Sequence, residues 1–439
     1  MPRPVARGAP SLEPRAMTAP TDAAAPAGRA ALLPRRDAGW LDPAAPPHLL
    51  TLVALASIAA LNMNLFLPSL PSMAAYFGTD YAVVQLAVSG YLAATAALQL
   101  VVGPLSDRYG RRPVALACLA IFSAATVGCL LSTDIVTFLA FRILQAAVVA
   151  GIVLSRAVVR DMVGATRAAS MIGYVTMGMS MAPMIGPMIG GALDEVFGWR
   201  APFAMLLAGG LAVFALCWRD LGETNRHPSG GFRAQFRAYP ELARSRRFWG
   251  YALAAAFASG AFFAYLGGAA FVATEVFDLS PAATGFWFGA IAVGYALGNY
   301  LAGRFTTRVG LNGMMLVGGL VAAGGVSAAL YAYGHGYPTP LGFFGGLAFV
   351  GVGNGLALPS ANAGMLSVRP KLAGSASGLG GALMIGGGAA LSVLAGALLG
   401  PGTGPWPLLW VMLASCVAAL GAVGWVLWVE KVAGPLPQV

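Results

Sequence analysis

The segment Gly103-Pro-Leu-Ser-Asp-Arg-Tyr-Gly-Arg-Arg-Pro113 separates two long apolar stretches of the chain. Gly103 and Gly110 predict a tight reversal between these stretches, because glycine accepts backbone angles that other residues avoid. The three arginines would hold the turn at the anionic cytoplasmic face of a membrane. Asp107 is the single acid among them, so it can pair with one arginine or cap a neighbouring helix N-terminus. We interpret the segment as a cytoplasmic turn between two membrane helices; the alternative is a merely solvated basic turn.

The composition of the 439 residues excludes a soluble domain. Hydrophobic residues make up 58% of the chain, charged residues 10%, and the mean hydropathy is +0.75, whereas soluble domains carry about 25% charged residues. From Leu49 onward the apolar residues recur in stretches of roughly twenty, which is the length of a membrane-spanning helix. Twelve such spans with short loops fit the length of the chain. The predicted fold class is therefore an all-α integral membrane protein with twelve transmembrane helices.

Positive charge is distributed unevenly between the two sides that this topology defines. All but two of the 26 basic residues lie on one side; Arg200 lies on the other side and Arg142 lies within a span. Basic residues accumulate on the cytoplasmic side of membrane proteins, so we expect a multi-pass membrane protein with both termini cytoplasmic. The basic residues are not interleaved with stacking aromatic residues, so we expect no nucleic-acid partner despite the net charge of +10.

The chain divides into two similar halves. Residues 103–110 and 303–310 each close a span with glycine at both ends, and Met184-Ile-Gly186 matches Met384-Ile-Gly386 at the same offset of 200 residues. Parallel repeats of six helices form transporters that rock around a site near the bilayer midplane. The predicted organisation is a disordered cytoplasmic tail, a six-helix bundle, a cytoplasmic linker, a second six-helix bundle and a short cytoplasmic tail, over residues 1–47, 48–218, 219–247, 248–430 and 431–439.

Arg142 carries a charge inside the fourth predicted span. A charge in the hydrocarbon region is costly, usually faces a cavity and marks a functional site. No Asp or Glu lies in the middle of a predicted span, so we expect side-chain carbonyls of Asn62, Asn64 or Gln145 to accept its hydrogen bonds. The alternative is that Arg142 snorkels outward near the periplasmic end of its span.

The four cysteines and three histidines are isolated from one another in the sequence. Metal sites and disulfide frameworks need clustered ligands, so we expect neither a metal nor a resident cofactor.

Further motifs carry a resemblance to the major facilitator superfamily. Residues 103–113 resemble the loop signature of that family, and Arg142-Ile-Leu-Gln145 resembles its Arg-x-x-Gln motif. Gly186-Pro-Met-Ile-Gly-Gly191 resembles the antiporter motif of drug exporters, and Leu221-Gly-Glu-Thr224 resembles the family's exit motif.

A second set of residues narrows the resemblance over about residues 48–430. The pattern is similar to that of the Bcr/CflA (bicyclomycin- and chloramphenicol-resistance) drug exporters, and it consists of Leu67-Pro-Ser-Leu-Pro71, Gln85, Gln99, Gly-Pro-Leu-Ser-Asp107 and Arg160-Asp161. The resemblance implies export of small drugs or metabolites across the bacterial inner membrane by alternating access, driven by the proton gradient.

We predict three groups of site residues. The cytoplasmic gate would consist of Gly103, Asp107, Arg108, Gly110, Arg111 and Arg112. The substrate cavity would include Asn64, Tyr91, Arg142, Gln145 and Tyr265. In the fifth span prolines kink the helix and glycines give a smooth face that seals the contact between the halves; these residues are Pro183, Gly186, Pro187, Gly190 and Gly191.

Asn64 departs from the pattern of the subfamily, in which an Asp commonly precedes the Leu-Pro motif. An amide cannot exchange a proton, so we expect proton coupling to use another group, with Asp107 and Asp161 as candidates, or to be absent. With no acid in the cavity and Arg142 present, we expect a neutral or anionic small-molecule substrate.

We expect a monomer in the lipid bilayer, and no enzyme activity. A solute importer on the same fold and a membrane-embedded enzyme are the alternatives. The antiporter motif argues against the importer, and the spans lack the acids, histidine pairs or nucleophile–base pairs that an enzyme needs.

Overall fold

The computed structural model describes residues 46–163, 165–225, 239–369 and 372–433. These residues form twelve long helical segments and no β-strand. The first six are α1 to α6, with the bounds Leu49–Phe77, Tyr81–Tyr109, Arg111–Leu131, Ile135–Met162, Met171–Phe197 and Arg200–Asp220. The other six are α7 to α12, with the bounds Arg246–Glu275, Pro281–Val309, Leu311–Gly334, Pro340–Val368, Ser375–Leu398 and Trp406–Val432.

Eleven of these described segments are long and apolar enough to cross a membrane. The remaining one, α8, is 29 residues long and corresponds to the predicted eighth span, but it is less apolar and carries Arg304 and Arg308 near its end. The predicted all-α membrane fold is therefore confirmed. The long helices satisfy their backbone hydrogen bonds internally, as the hydrocarbon core requires.

Two of the segments in the first half contain 3₁₀ turns that interrupt the α-helix. In α1 an α-helix ends at Asn64 and a 3₁₀ turn covers Leu67–Ser69, because Pro68 and Pro71 lack the backbone N–H that a continuous helix needs. In α4 a 3₁₀ turn covers Gln145–Val149. The last carbonyls of a helix have no intrahelical donor, so the break in α1 leaves backbone oxygens free for other partners.

Glycine lets the backbones of neighbouring segments approach closely. A Cβ added to Gly318 of α9 would collide with the carbonyl oxygen of Gly353 of α10, and a Cβ on Gly353 would collide with that of Gly318. Gly298 of α8 and Gly355 of α10 meet backbone atoms of the opposing helix in the same way. Without a hydrophobic driving force between membrane helices, such close packing supplies the attraction.

The segments before residue 219 and after residue 247 meet through two main pairs, α5 with α8 and α2 with α11. Helices six positions apart in the chain correspond to each other, so α2 corresponds to α8 and α5 corresponds to α11. The α2–α11 pair is therefore the counterpart of the α5–α8 pair. This correspondence is expected for two copies related by a pseudo-twofold axis. Gly110 and Gly310 also occupy equivalent turns, with φ of 98° and 79°.

The ends of the segments that carry Arg108, Arg111, Arg112, Arg304 and Arg308 are called here the arginine-rich end. Hydrogen bonds join the two predicted halves at the opposite end, where the Tyr81 hydroxyl donates to the Gly267 carbonyl over 2.8 Å. Nearby, Gln85 Nε2 donates to the Ser392 carbonyl oxygen over 2.8 Å. Gln85 is thus an interhelical hydrogen-bond partner.

The predicted domain boundaries are only partly covered by the described residues. The tail 1–47, apart from residues 46 and 47, lies outside them, as do residues 226–238 of the linker and residues 434–439. The division into two six-helix bundles stays a prediction.

Candidate functional site

Arg142 lies in the interior of the first half, and its guanidinium donates hydrogen bonds to three segments of the chain. Nη1 donates to Asn62 Oδ1 over 2.8 Å and to Gln145 Oε1 over 2.7 Å. Nη2 donates to the Asn62 backbone carbonyl over 2.8 Å, and Nε donates to the Ala87 carbonyl over 3.1 Å. Because the first helix of α1 ends at Asn64, the Asn62 carbonyl belongs to the last helical turn, where acceptors are left over.

Two aromatic rings enclose the same guanidinium. Its central carbon lies 4.2 Å from the centroid of the Phe66 ring and 4.3 Å from that of the Tyr91 ring. Cation–π attraction strengthens when the cation is desolvated, and Arg142 is only 1% exposed. The alternative that Arg142 snorkels outward is therefore wrong. Its donors are directed at protein acceptors, so it joins α1, α2 and α4 rather than presenting its charge to an open cavity.

The other predicted cavity residues do not all lie beside Arg142. Gln145 contacts it directly, and Tyr91 stacks on it. Asn64 is buried, but its amide donates to a backbone carbonyl of its own helix over 2.7 Å. The expected acceptor role thus falls to Asn62 and Gln145 and not to Asn64, because residues two apart on a helix point in different directions.

Tyr265 belongs to a different group of side chains, in the second half. It is fully buried and packs on Phe288 and Phe344, with ring centroids 5.0 and 6.4 Å apart. Its hydroxyl has no hydrogen-bond partner among the described residues. Tyr265 is therefore part of an aromatic cluster of α7, α8 and α10, and the structure does not bring it together with the Arg142 group.

Arg111 is the centre of the loop at the arginine-rich end. It forms an ion pair with Asp107, four residues earlier, and a second with Asp161, with Nε 3.0 Å from the Asp161 carboxylate. Its side chain is 10% exposed, whereas those of Asp107 and Asp161 are 34% and 25% exposed. Of the two partners expected for Asp107, an arginine or a helix N-terminus, the structure shows the arginine.

Glu223 caps the N-terminus of α3 instead. Its carboxylate accepts hydrogen bonds from the backbone N–H groups of Arg111 and Arg112 over 2.9 and 3.2 Å. A negative charge at this position satisfies free donors and complements the helix dipole. The sequence places Glu223 in the exit motif but carries no sign of this contact, because the residues that it joins lie far apart along the chain.

The two glycines of the loop have different roles. Gly110 takes a φ of 98° and lies against Glu223, so the predicted reversal uses it. Gly103 lies within the helix Leu86–Tyr109, so its predicted part in the reversal is wrong.

The other two arginines of the loop contact aromatic side chains. The central guanidinium carbon of Arg108 lies 5.2 Å from the centroid of the Tyr109 ring. That of Arg112 lies 5.9 Å from the centroid of the Trp218 ring, and Arg112 Nη2 donates to the Trp218 carbonyl over 2.9 Å. Of the three arginines, Arg111 is thus the one that joins the carboxylates.

In α5 the predicted glycines face two different neighbours. A Cβ on Gly190 would collide with the Leu65 carbonyl oxygen of α1, and one on Gly191 would collide with the Pro281 carbonyl oxygen of α8. A Cβ on Gly186 would make only ordinary contacts, the nearest at 3.5 Å. Gly191 thus forms the close approach between the halves, while Gly190 packs within the first half.

The two predicted prolines frame this contact. Pro183 lies in the first turn of its helix, where a missing N–H costs little, and Pro187 lies inside the helix. The Pro187 carbonyl oxygen would collide with a Cβ on Gly285 of α8. Beyond this point the Ala282 N–H donates to Glu195 Oε2 over 3.0 Å. The close backbone contact leaves no room for a side chain on Gly191 or Gly285.

The arrangement places two carboxylates on one guanidinium at the arginine-rich end and brings α5 and α8 into close contact between the halves. The described residues contain no group of three or more His, Cys, Asp or Glu side chains that could hold a metal ion.

Replacing Arg142 by Lys is expected to lower the melting temperature of the purified protein. An ammonium group cannot reach all the acceptors at once and stack between two rings, and each buried acceptor left without a donor costs about 1–3 kcal/mol. The matched control is Arg108→Lys at an exposed position, which should melt like the unchanged protein. Equal melting temperatures for the two variants would contradict the role of Arg142 as the joint of α1, α2 and α4.

Replacing Gly110 by Ala is expected to destabilise the protein more than Gly310→Ala does. Both changes force alanine into a backbone region that costs about 1–3 kcal/mol, but only the first also meets a neighbour, Glu223. Thermal denaturation of both variants measures the difference. A Gly110→Ala protein as stable as Gly310→Ala would show that the contact with Glu223 does not restrict this turn.

Known proteins resemble the chain in sequence. A model of the Major Facilitator Superfamily matches residues 52–384. The chain is 34% identical over 258 residues to the uncharacterized MFS-type transporter YdgK of Bacillus subtilis strain 168, covering 57% of this chain and 64% of that protein. It is 31% identical over 372 residues to a chloramphenicol resistance protein of Pseudomonas aeruginosa, covering 83% of this chain and 87% of that protein.

The fold also resembles a solved structure, that of a bacterial homolog to the human lysosomal transporter Spinster in an inward-facing and unoccupied conformation. The TM-score is 0.70 at 21% identity, covering 87% of this chain and 96% of that chain. This similarity concerns the fold alone. The motif resemblance is confirmed by the family match and by the chloramphenicol resistance relative. This multi-pass membrane chain belongs to the Major Facilitator Superfamily.

Proposed function

We propose that the protein is a secondary transporter that exports small drugs or metabolites by alternating access, as a monomer in the bacterial inner membrane with both termini cytoplasmic. The family and the chloramphenicol resistance relative support transport of this class. The observation that carries the proposal is the asymmetric contact between the halves. Tyr81, Gln85 and Glu195 form hydrogen bonds across it, all at the end opposite the arginine-rich end.

Alternating access requires that such contacts break at one end while others form at the other end. The α5–α8 and α2–α11 pairs suit this motion because each is the pseudo-symmetric image of the other. With the arginine-rich end cytoplasmic, the arrangement corresponds to a state closed toward the periplasm. The loop of Arg111, Asp107 and Asp161 then lies at the end that must close next.

The same loop is our candidate for proton coupling. Two carboxylates share one guanidinium, and both are partly exposed, so protons from solvent reach them. If closure changes which carboxylate contacts Arg111, the two states bind protons with different affinity, and that difference couples transport to the proton gradient.

We propose a neutral substrate, with anionic compounds second. The described spans carry their acids near the ends, and Asn64 is an amide, so no described carboxylate in mid-membrane attracts a cation. Arg142 adds little preference for anions, because it is buried and four of its five N–H donors bond to Asn62, Gln145 and Ala87.

Cells that express the protein are expected to accumulate less labelled chloramphenicol than cells without it, and an uncoupler should abolish the difference. Gly191→Leu should abolish export at equal membrane abundance, because a side chain at this position separates α5 from α8. Gly421→Leu is the control, since a Cβ on Gly421 meets nothing within 4 Å.

Four outcomes would contradict parts of this function. Higher accumulation would identify an importer, and chemically altered drug would identify an enzyme. Export that persists with the uncoupler would exclude coupling to the proton gradient. No difference at confirmed expression would exclude chloramphenicol as a substrate and favour a narrow metabolite exporter.

Asn64→Asp is expected to extend export to cationic compounds while neutral compounds are still exported. The new carboxylate would supply a negative charge, which the described interior of the first half lacks. Asn64→Ser, which removes the amide without adding a charge, is the matched control. Unchanged export of both neutral and cationic compounds by Asn64→Asp would remove the basis for the predicted substrate charge.

A further inference from the structure

A long apolar groove runs along α8, α9 and α10. Its volume is about 710 Å³, and every residue that lines it is apolar. Leu301, Phe305 and Val309 belong to the α8 wall, and Phe349 of α10 lies toward the far end. Val309 and Phe349 are about half exposed, at 47% and 54%. The groove therefore opens to the surroundings of the protein, which in the membrane are lipid chains.

The groove is long, so its length suits a chain-like ligand. Its α9 wall extends from Met314 to Ala328, which at 1.5 Å per residue is a length of about 21 Å. The volume lies within the range of small-molecule sites, roughly 300–1,000 Å³. Such sites normally add a few placed polar groups that orient the ligand, and this groove has none along its length, which favours an acyl chain over a drug.

Gly324 lines the groove on its α9 side. A Cβ added at this position would meet no other atom within 4 Å, so helix packing does not require glycine here. Glycine in a helix costs stability relative to residues with a side chain. The missing side chain thus leaves space that the described part of the protein does not fill.

Two arginines lie at the end of the groove where α8 finishes. Arg304 and Arg308 come three and seven residues after Leu301, which are the spacings that return a helix to the same face. Both are exposed, and neither forms an ion pair with a carboxylate of the described residues. They supply positive charge beside the apolar groove, at the level where a lipid headgroup lies.

The first half shows how the equivalent turn differs. There Asp107 binds Arg111, but the residues 200 positions later are Thr307 and Leu311. The second copy has therefore kept Arg308 as the counterpart of Arg108 while it lacks the internal acid–arginine pair. The positive charge of Arg304 and Arg308 is therefore not compensated by a carboxylate of the described residues, as that of Arg111 is.

We propose that this groove binds one anionic phospholipid, with an acyl chain along α9 and the headgroup phosphate on Arg304 and Arg308. Guanidinium groups form strong paired hydrogen bonds with phosphate, and basic pockets between membrane helices bind anionic headgroups. The lipid would contact α8, α9 and α10 together and so hold the helices that pack through Gly318 and Gly353. Binding of this lipid does not depend on which substrate is transported.

Native mass spectrometry of the purified full chain, with phosphatidylglycerol and phosphatidylethanolamine added in equal amounts, tests the site. The unchanged protein should retain one phosphatidylglycerol molecule in preference to phosphatidylethanolamine. Arg304→Gln/Arg308→Gln should weaken its binding on the order of 30-fold, from the contribution of two arginines near a headgroup. Gly324→Leu should reduce binding of this lipid by placing a side chain in the groove, at a position where a Cβ meets no other atom within 4 Å.

The controls carry the same changes elsewhere. Arg219→Gln/Arg246→Gln removes two exposed arginines, and Gly424→Leu adds a side chain at another open glycine, on α12; both should bind phosphatidylglycerol like the unchanged protein. Equal retention of the two lipids would overturn the proposal. So would unchanged binding in both groove variants, or a lipid-free dimer that Gly324→Leu dissociates.

A second readout covers the case in which a variant is less stable. A lipid that binds only the folded protein raises its melting temperature, so phosphatidylglycerol should raise that of the unchanged protein and of both controls. The groove variants should melt at the same temperature with either lipid. If phosphatidylglycerol raised the melting temperature of the groove variants as much as that of the unchanged protein, the proposed site would be contradicted.

Discussion

The hydrocarbon core of a membrane offers no hydrogen-bond partners, so a charged group inside it needs partners within the protein. Arg142 meets this requirement. The guanidinium is almost fully buried, yet its donors bond to Asn62, Gln145 and the Ala87 carbonyl, and its faces stack on two aromatic rings. The charge remains without a carboxylate partner among the described residues. It is stabilised by oriented dipoles and rings, and in return it holds α1, α2 and α4 together.

The same constraint explains the many glycines at helix contacts. Lipid chains are as apolar as leucine, so helices gain little by hiding apolar side chains and must instead pack closely. Gly191 and Gly285 let α5 and α8 approach until backbone meets backbone. Since α2 and α11 form the symmetric counterpart of this pair, the two main contacts between the halves are equivalent.

The arginine-rich end shows how two similar copies came to differ. In the first, Arg111 joins Asp107 and Asp161, while Glu223 caps the helix that begins at Arg111. Four charged groups from three parts of the chain are thus satisfied together. The second copy has the same turn at Gly310 but no such set of acids. The arginine of the first loop is thus paired with carboxylates inside the protein, whereas Arg304 and Arg308 of the second copy form no ion pair among the described residues.

Composition and apolar spacing were sufficient to predict twelve membrane helices, and the motifs were sufficient to predict the family, because both are local properties of the chain. Arg142 was predicted to line a substrate cavity with Asn62, Asn64 or Gln145 as acceptors, and the structure shows Asn62 and Gln145 in that role. The sequence could not decide between Asn62 and Asn64, because both are amides in one helix and only the rotation of that helix against α4 directs Asn62 at the guanidinium. Gly103 and Gly110 were likewise indistinguishable in the sequence, although one lies in a helix and the other forms the turn. Contacts between distant residues, such as Glu223 with the start of α3, depend on how helices pack, and that packing is a property of the whole fold.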